Sequence, residues 1–327
     1  MPVALIGSGP LRGEPGRFRE VLVDAGFTCV DPPGQKPLTA GELLAYLPAA
    51  DAVIAGGEPI PGALIAACPR LRVISRTGVG YEAVDLDAAT AHRVVVAFTP
   101  GTNHEAVAEQ AFALILALCK RLIPLDADIR RGGWDRTPPM PVRGKTLGLL
   151  GLGRIGRAMA TRAIAFGMKV ITYEHIPDVE FDARHGIMNV PLDRILAESD
   201  VLSLHLPATE TTRGVICEAT IRRMKPGALL INTGRGALVV EADLYAALVE
   251  GHLGGAGLDV FQREPPMANN PLFSLPNVVL SPHNAGIDTQ AMEAMASMAA
   301  ENIVALYKGL WPAAAVVNPE VAPGWTW

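Results

Sequence analysis

The chain is predicted to be an α/β protein of two lobes, each a doubly wound parallel sheet with helices on both faces. Three observations predict this. Its 327 residues correspond to two domains at the usual ~150 residues each. Half of the residues are hydrophobic and 19% are charged, which supplies a large core and excludes an intrinsically disordered chain. Short β-branched runs alternate with helical patterns almost from end to end, as they do where crossover helices join parallel strands.

The elements follow in order. In the first hundred residues the β-branched and apolar runs predict strands at 3–7, 28–30, 52–55, 72–75 and 94–98. Helical spacing between them predicts helices at 18–25, 40–47, 62–68 and 86–91. An Ala/Leu-rich helix is expected over 104–122, then a second helix starting near Pro124. The Pro/Gly-rich stretch 132–144 (GGWDRTPPMPVRG) reads as a surface connection. A second series then begins, with strands at 146–150, 169–174, 201–206, 228–232, 255–259 and 278–281. Its helices are expected at 155–166, 192–198, 219–224 and 241–250, and a long helix at 289–309 precedes a Pro-rich tail.

Composition narrows the function classes. Lys and Arg total 28 against 33 acids, a net charge of −5, which gives no reason to expect nucleic acid or an anionic membrane as partner. Four dispersed cysteines (Cys29, Cys68, Cys119, Cys217) form no CxxC pair and no Cys/His spacing for a metal. They read as reduced thiols in a reducing compartment. The first residues carry no basic region of a signal peptide, and the most apolar helix is about half the ~20 residues a bilayer crossing needs. A cytoplasmic location is therefore expected.

The strongest motif is GLGRIG, with Gly151, Gly153 and Gly156, directly after the apolar strand TLGLL and opening a helix. Strand, tight glycine turn and helix N-terminus together present free N–H groups and a positive dipole end to a pyrophosphate. Glu174 ends the next strand, eighteen residues past the last glycine, where an acid meets the adenine ribose hydroxyls. Its charge repels a 2′-phosphate, and the following His175, Ile176 and Pro177 include no arginine, so NAD is expected rather than NADP. A second glycine cluster, Gly7, Gly9 and Gly13, is spaced one residue too long, and Pro10 removes an N–H such a loop needs. It reads as an ordinary turn.

Three further segments fall at carboxyl ends of strands, where open α/β sheets bind ligands. They are INTGRGALV with Arg235, GLDVFQREPP with Asp259 and Glu264, and LSPHNAG with His283. Hydride transfer at a hydroxyl-bearing carbon needs a group to take or give the hydroxyl proton, and histidine suits that near neutral pH. A carboxylate behind the imidazole orients it and favours its protonated form. A guanidinium anchors a carboxylate and polarises the adjacent carbonyl. Singly, each residue has a bland reading as a turn or surface position; together, behind the glycine loop, they read as a site. His205 in LHLP is the other histidine placed to approach a cofactor.

Over roughly residues 72–320 these segments resemble the D-isomer-specific 2-hydroxyacid dehydrogenase family, especially its phosphoglycerate dehydrogenase-like branch. The resemblance is carried by SRTGVGYEAVDLDAAT, PGTNHEAVAEQ, RGKTLGLLGLGRIG, LHLPATETTRGVI, INTGRGALV, LDVFQREPP, SPHNAG and VVNPE. It implies two Rossmann-like lobes with the active site in the cleft between them. Residues 1–100 would be the first segment of a substrate-binding lid domain, 101–287 the NAD domain, and 288–327 a helix and tail returning to the lid.

The resemblance implies catalysis by Arg235, Glu264 and His283, with histidine as acid/base, glutamate as its partner and arginine as substrate anchor. Cofactor contacts would fall on Gly151, Gly153, Arg154, Ile155, Gly156, Glu174, Pro207, Thr212, Thr233, Gly234, Arg235, Asp259, His283, Ala285 and Gly286. Substrate contacts would fall on Arg76, Gly78, Val79, Gly80, Asn103, Arg235 and His283, with Arg76 near the distal end where phosphoglycerate enzymes hold a phosphate. A homodimer through the helix from Glu105 to Leu122 is implied as well, with the AFALILAL run suited to burial. The regulatory domain of longer phosphoglycerate dehydrogenases is not expected.

The expected activity is interconversion of a D-2-hydroxy acid and its 2-oxo acid with NAD, with 3-phosphoglycerate as the first candidate substrate. Hydroxypyruvate or glyoxylate, and larger branched oxo acids, also fit the three residues and are the alternative. Two rivals stay open: a phosphite dehydrogenase-like enzyme, and a nucleotide-sensing corepressor-like binding protein on the same fold.

Overall fold

Short strands buried on both faces set the architecture of the computed structural model, which describes every residue from Met1 to Trp327. The chain divides into two compact units, Met1–Asn103 with Ile287–Trp327, and His104–Gly286.

In the first unit the order is β1 (Val3–Ile6), α1 (Arg17–Asp24), β2 (Thr28–Val30), α2 (Ala40–Leu43), β3 (Ala52–Ala55), α3 (Gly62–Ala66), β4 (Val73–Arg76), α4 (Leu86–Ala91) and β5 (Val95–Ala97). The strands pair all-parallel in the order β2-β1-β3-β4-β5. Odd and even strand residues enter different cores, as the two-residue period requires. Ala4, Ile6, Ile54, Val73 and Val95 pack with Phe18 and Leu22 and with the C-terminal helix, whereas Leu5, Val53, Ile74 and Val96 pack with Leu43, Leu64 and Ala89.

The second unit continues with α5 (His104–Cys119), α6 (Leu122–Arg130), β6 (Thr146–Leu150), α7 (Arg154–Ala165), β7 (Lys169–Tyr173), α8 (Val179–His185), β8 (Met188–Asn189), α9 (Leu192–Glu198), β9 (Val201–Leu204), α10 (Glu218–Ile221), β10 (Ala228–Asn232), α11 (Glu241–Val249), β11 (Leu253–Leu258) and β12 (Val278–Leu280). Its seven strands, all parallel, lie in the order β12-β11-β10-β9-β6-β7-β8. The strand order reverses between β6 and β9, the switch point at which dinucleotide folds bind their ligand. One face is covered by α5 and α7 and the other by α9, α10 and α11. The chain then returns to the first unit as α12 (Thr289–Tyr307). No helix is long and apolar enough to cross a membrane.

Where expected and observed elements differ, local chemistry accounts for it. The helix expected at 40–47 stops at Leu43, and a 3₁₀ turn with Pro48 follows, because a residue before proline avoids the α region. Similarly α3 ends short of Cys68, which precedes Pro69. The helix expected over 104–122 breaks into α5 and α6 at Arg121, which is left-handed at φ 51°. Pro124 then sits in the first turn of α6, where its missing N–H has no intrahelical partner to lose. Neither α8 nor β8 is among the expected elements. Both β8 residues are exposed, so they show no alternation to read.

The C-terminal tail closes the open edge of β5. Val317 N–H donates to Val96 C=O (2.8 Å) and Phe98 N–H to Ala315 C=O (2.9 Å). Asn318, 1% exposed, completes the edge with its side-chain amide: Oδ1 accepts from Val96 N–H and Nδ2 donates to Val94 C=O, each at 2.9 Å. Asn318→Ala leaves two buried backbone groups unpaired, at ~1–3 kcal/mol each. We expect a loss of about 2–6 kcal/mol, read as a lower urea midpoint by tryptophan fluorescence. Trp311, Trp325 and Trp327 all report on this unit; an unchanged midpoint would show that the edge closure is not stabilising.

Candidate active site

The glycine loop is built for close backbone approach. Gly151 has φ +99°, and a Cβ there would stand 2.8 Å from the His205 carbonyl. A Cβ on Gly156 would collide with the Gly151 carbonyl, so α7 can start directly against the loop only with glycine. Gly153 is the N-cap of α7 and offers no side-chain cap, and the space where its Cβ would stand is open. The first N–H groups of α7 are thus left for a ligand at the positive end of the helix dipole. Arg154 opens the helix, exposed, and Ile155 follows half-buried.

Around this loop two buried polar atoms lack protein partners: Thr233 Oγ1, after β10, and His205 Nδ1, after β9. The His205 ring is held neutral, because burial pushes its pKa down to about 4, and its Nε2 pairs with Ser203 Oγ at 2.9 Å. Glu174, at the end of β7, accepts from Leu152 N–H at 2.8 Å, which ties the acid to the glycine loop. Thr212 Oγ1 donates to Pro207 C=O (2.6 Å) and shapes the loop after β9. An uncapped helix start, open space at Gly153 and orphaned polar atoms fit a bound dinucleotide.

By contrast, the Gly7–Gly13 turn is filled by the chain itself. The Gln35 carbonyl occupies the place of a Gly9 Cβ, and the buried Arg12 guanidinium donates to the carbonyls of Gly7, Gly34 and Lys36.

A histidine–carboxylate pair is made at the ends of β11 and β12. His283 Nδ1 lies 2.6 Å from Glu264 Oε2, and Glu264 Oε1 accepts from Phe261 N–H at 3.0 Å. The Glu264 hydrogen bond and charge, with Asp259 behind, raise the His283 pKa above its ordinary 6.5 against the opposing effects of burial and Arg235. Burial works to raise the Glu264 pKa, but the His283 and Phe261 hydrogen bonds and the His283 and Arg235 charges hold it below the ordinary carboxylate value.

His283 itself is left-handed at φ +53°, a conformation that costs a non-glycine residue ~1–3 kcal/mol. The loop is held there by Asp259, which is fully buried. Its Oδ1 accepts from Ser281 Oγ (2.6 Å) and Asn284 N–H (3.0 Å), its Oδ2 from Ala285 N–H (2.9 Å), and its carbonyl from His283 N–H (2.8 Å). Asp259 therefore shapes the segment from Ser281 to Gly286 from beneath.

Arg235 sits in a turn clamped by Asn232, whose Nδ2 donates to Arg235 C=O (2.9 Å) and whose Oδ1 accepts from Gly234 N–H (3.0 Å). The Phe261 backbone fills the place of a Gly236 Cβ, so the Arg235 turn and the Glu264 segment touch backbone to backbone. Glu241, opening α11, secures the same segment by accepting from Gln262 N–H (2.6 Å) and Asn270 Nδ2 (3.0 Å). Asn232, Gly236 and Glu241 are not among the residues that sequence reasoning singles out; the position of Asn232 at the end of an apolar strand is the available signal.

Arg235, Glu264, His283 and all the expected cofactor residues thus fall in the second unit, at the carboxyl edge of one sheet. Arg76, Gly78, Val79, Gly80 and Asn103 belong to the first unit. There Arg76 is 8% exposed and donates from Nε to Gly80 C=O (3.1 Å), while Gly78 N–H donates to the buried Thr99 Oγ1 (2.9 Å). Asn103 is likewise 8% exposed.

The chain is similar to known proteins. The family described as D-isomer specific 2-hydroxyacid dehydrogenase, NAD binding domain, matches residues 112–285. The chain is 43% identical over 270 residues to a glyoxylate reductase of Korarchaeum cryptofilum, covering 81% of each protein. It is 37% identical over 285 residues to a D-3-phosphoglycerate dehydrogenase of Archaeoglobus fulgidus, covering 86% of this chain and 54% of that protein. A crystal structure of a Thermus thermophilus protein superposes with a TM-score of 0.87 at 36% identity, over 97% of this chain and all of that one. The chain belongs to the D-isomer-specific 2-hydroxyacid dehydrogenase family, and is an NAD-dependent oxidoreductase acting on 2-hydroxy acids.

Proposed function

We propose that the chain reduces a small 2-oxo acid of the glyoxylate or hydroxypyruvate kind to its 2-hydroxy acid, the D isomer where C2 becomes chiral, with Arg235, Glu264 and His283 as the catalytic residues. The observation that carries the reading is the 2.6 Å His283–Glu264 pair, on the sheet edge that also holds the glycine loop. NAD supplies the hydride donor or acceptor when bound. Because Nδ1 faces Glu264, His283 exchanges the substrate proton through Nε2. In reduction the protonated ring gives that proton to the carbonyl oxygen; in oxidation the neutral ring takes it from the hydroxyl. Arg235 holds the substrate carboxylate and polarises the carbonyl beside it.

The cofactor would lie on Gly151, Gly153, Arg154, Ile155 and Gly156, with Glu174, Pro207 and Thr212 toward the adenosine. Thr233, Gly234, Ala285 and Gly286 would take the nicotinamide side, and Asp259 would act there through the loop it supports. Arg76, Gly78, Val79, Gly80 and Asn103 are the proposed substrate residues of the first unit. The unit His104–Gly286, rather than the expected 101–287, would form the NAD domain, and Met1–Asn103 with Ile287–Trp327 the substrate domain.

The relatives named glyoxylate reductase support the small-acid substrate, because they match across about four-fifths of their own length. Arg76 and the relatives named phosphoglycerate dehydrogenase favour a second reading, phosphohydroxypyruvate, and for that reading Arg76 Nε must share or give up Gly80.

We also propose a homodimer through the region from Glu105 to Leu122. The AFALILAL run itself is mostly spent inside the second unit, with Ala111, Phe112, Leu114 and Ile115 buried. Support comes instead from the apolar side chains exposed just beyond it, Leu122, Ile123, Ile129 and Trp134. A cytoplasmic location is supported by four free thiols; burial pushes that of Cys119 up to about 11.

Three outcomes are expected. First, reduction is fastest below the raised pKa of His283 and falls as pH climbs through it, whereas oxidation rises over the same interval. Glu264→Gln removes the partner that raises this pKa, so both limbs move to lower pH, and His283→Asn loses ~10²–10⁴ in turnover with NADH binding intact. Unchanged pH profiles and turnover in these variants would defeat the assignment. Second, in a panel of 2-oxo acids followed by NADH absorbance, glyoxylate and hydroxypyruvate should outpace phosphohydroxypyruvate. A preference for the phosphorylated acid that Arg76→Ala abolishes would establish the second reading instead. Third, sedimentation should give twice the chain mass, reduced to one chain by Ile123→Glu with Ile129→Glu; a wild-type monomer refutes the dimer.

A further inference from the structure

The edge of the seven-stranded sheet beside the adenosine end of the glycine loop carries a device that the reaction mechanism does not use. Strand β8 contributes only two residues there, pairing Met188 with Ile171 and Asn189 with Thr172, and Val190 N–H donates to Thr172 C=O at 2.8 Å. Backbone pairing stops at that point, because β7 ends at Tyr173 and the chain turns away toward α8. The Asn189 side chain continues the ladder for one more residue. Its Oδ1 accepts from Glu174 N–H and its Nδ2 donates to Glu174 C=O, both at 2.9 Å. A primary amide supplies the same donor and acceptor as a strand residue, so the peptide groups on both sides of Glu174 are fixed although Glu174 lies outside the strand.

With its backbone held, the Glu174 carboxylate settles between two loops. Oε2 accepts from Leu152 N–H at 2.8 Å and Oε1 from Ile176 N–H at 3.3 Å. A glutamate has one more rotatable bond than an aspartate and loses more side-chain freedom when its carboxylate is fixed, so it gains more from a rigid backbone. The neighbouring cation is already committed: Arg157 pairs with Asp178 at 2.8 Å and donates to Leu152 C=O at 3.1 Å.

We infer that Asn189 is a positioning residue for dinucleotide selection, holding the Glu174 peptide so that the carboxylate meets the ribose hydroxyls of NAD and opposes a 2′-phosphate. The inference rests on the reading of Glu174 as the ribose-binding acid. Asn189 touches neither substrate nor reacting atoms. It acts by keeping the charge of Glu174 in one place, because a mobile carboxylate neither binds hydroxyls well nor repels a phosphate consistently.

The test is equilibrium binding of NADH and of NADPH to the full-length protein, by nucleotide fluorescence, with hydrogen exchange of the ligand-free protein as a second readout. Glu174→Gln should lower the NADH-over-NADPH preference by at least about tenfold. Asn189→Ala should raise the NADH dissociation constant about fivefold to tenfold, leave that for NADPH unchanged or lower, and speed exchange at the Glu174 amide. Asn189→Asp, which keeps the acceptor and loses the donor, should fall between. In the Glu174→Gln background, Asn189→Ala should have no further effect on the preference.

If Glu174→Gln lowers the preference and Asn189→Ala does not, or if Asn189→Ala weakens both nucleotides equally, the positioning role is overturned while the reading of Glu174 stands. If Glu174→Gln leaves the preference unchanged, that reading fails first and the inference with it.

Discussion

Parallel pairing of every strand is the constraint from which the rest of the molecule follows. A parallel sheet places all its carboxyl ends along one edge, so the loops after β6, β7, β9, β10, β11 and β12 emerge together. Those loops carry the glycine turn, Glu174, His205, Arg235, Asp259 with Glu264, and His283 in turn. Residues more than a hundred positions apart become neighbours without any long-range feature in the sequence beyond a repeated βα pattern. The same constraint forces helices onto both faces, because each strand must cross over to return, and so both faces of each sheet are apolar.

Along that edge, loops must stay open to ligand while their backbone groups remain satisfied. The protein meets this with short polar side chains standing in for backbone. Asn232 clamps the Arg235 turn, Asn189 extends the β7 ladder to Glu174, and Asp259 gathers the His283 loop, and in the other unit Asn318 plays the same part along the side of β5. Asp259 gathers the most bonds of the four. His283 is held in a left-handed conformation by bonds that all converge on one buried residue. The basicity of His283 is thus set from two sides, by Glu264 at 2.6 Å on the ring and by the buried charge of Asp259.

Much of this is legible from residues alone. The strand at 146–150 and the helix at 192–198 stand where the sequence predicts them, because β-branched and apolar runs bounded by turns leave little choice. Gly151, Gly153 and Gly156 are readable because a strand precedes them and a helix follows, and Arg235, Glu264 and His283 because each follows a strand end. What escapes notice is what pattern does not encode. A two-residue edge strand has no period, α8 is a short helix started by a lone aspartate cap, and the AFALILAL run is apolar because α5 packs on the sheet and against α7 within one unit.

By itself, the sequence determined the βα alternation, the glycine loop with an acid at the end of the next strand, and which three residues are catalytic candidates. These depend on local spacing and on residue chemistry, which survive without coordinates. Only the tertiary structure decided how those residues are held. The left-handed His283, the Gly236–Phe261 backbone contact, the clamp of Glu241 on Gln262 and the amide bridge from Asn189 to Glu174 all join segments distant in sequence. Hydrogen bonds and excluded volume between such segments are set by sheet register, and register exists only once the chain has folded.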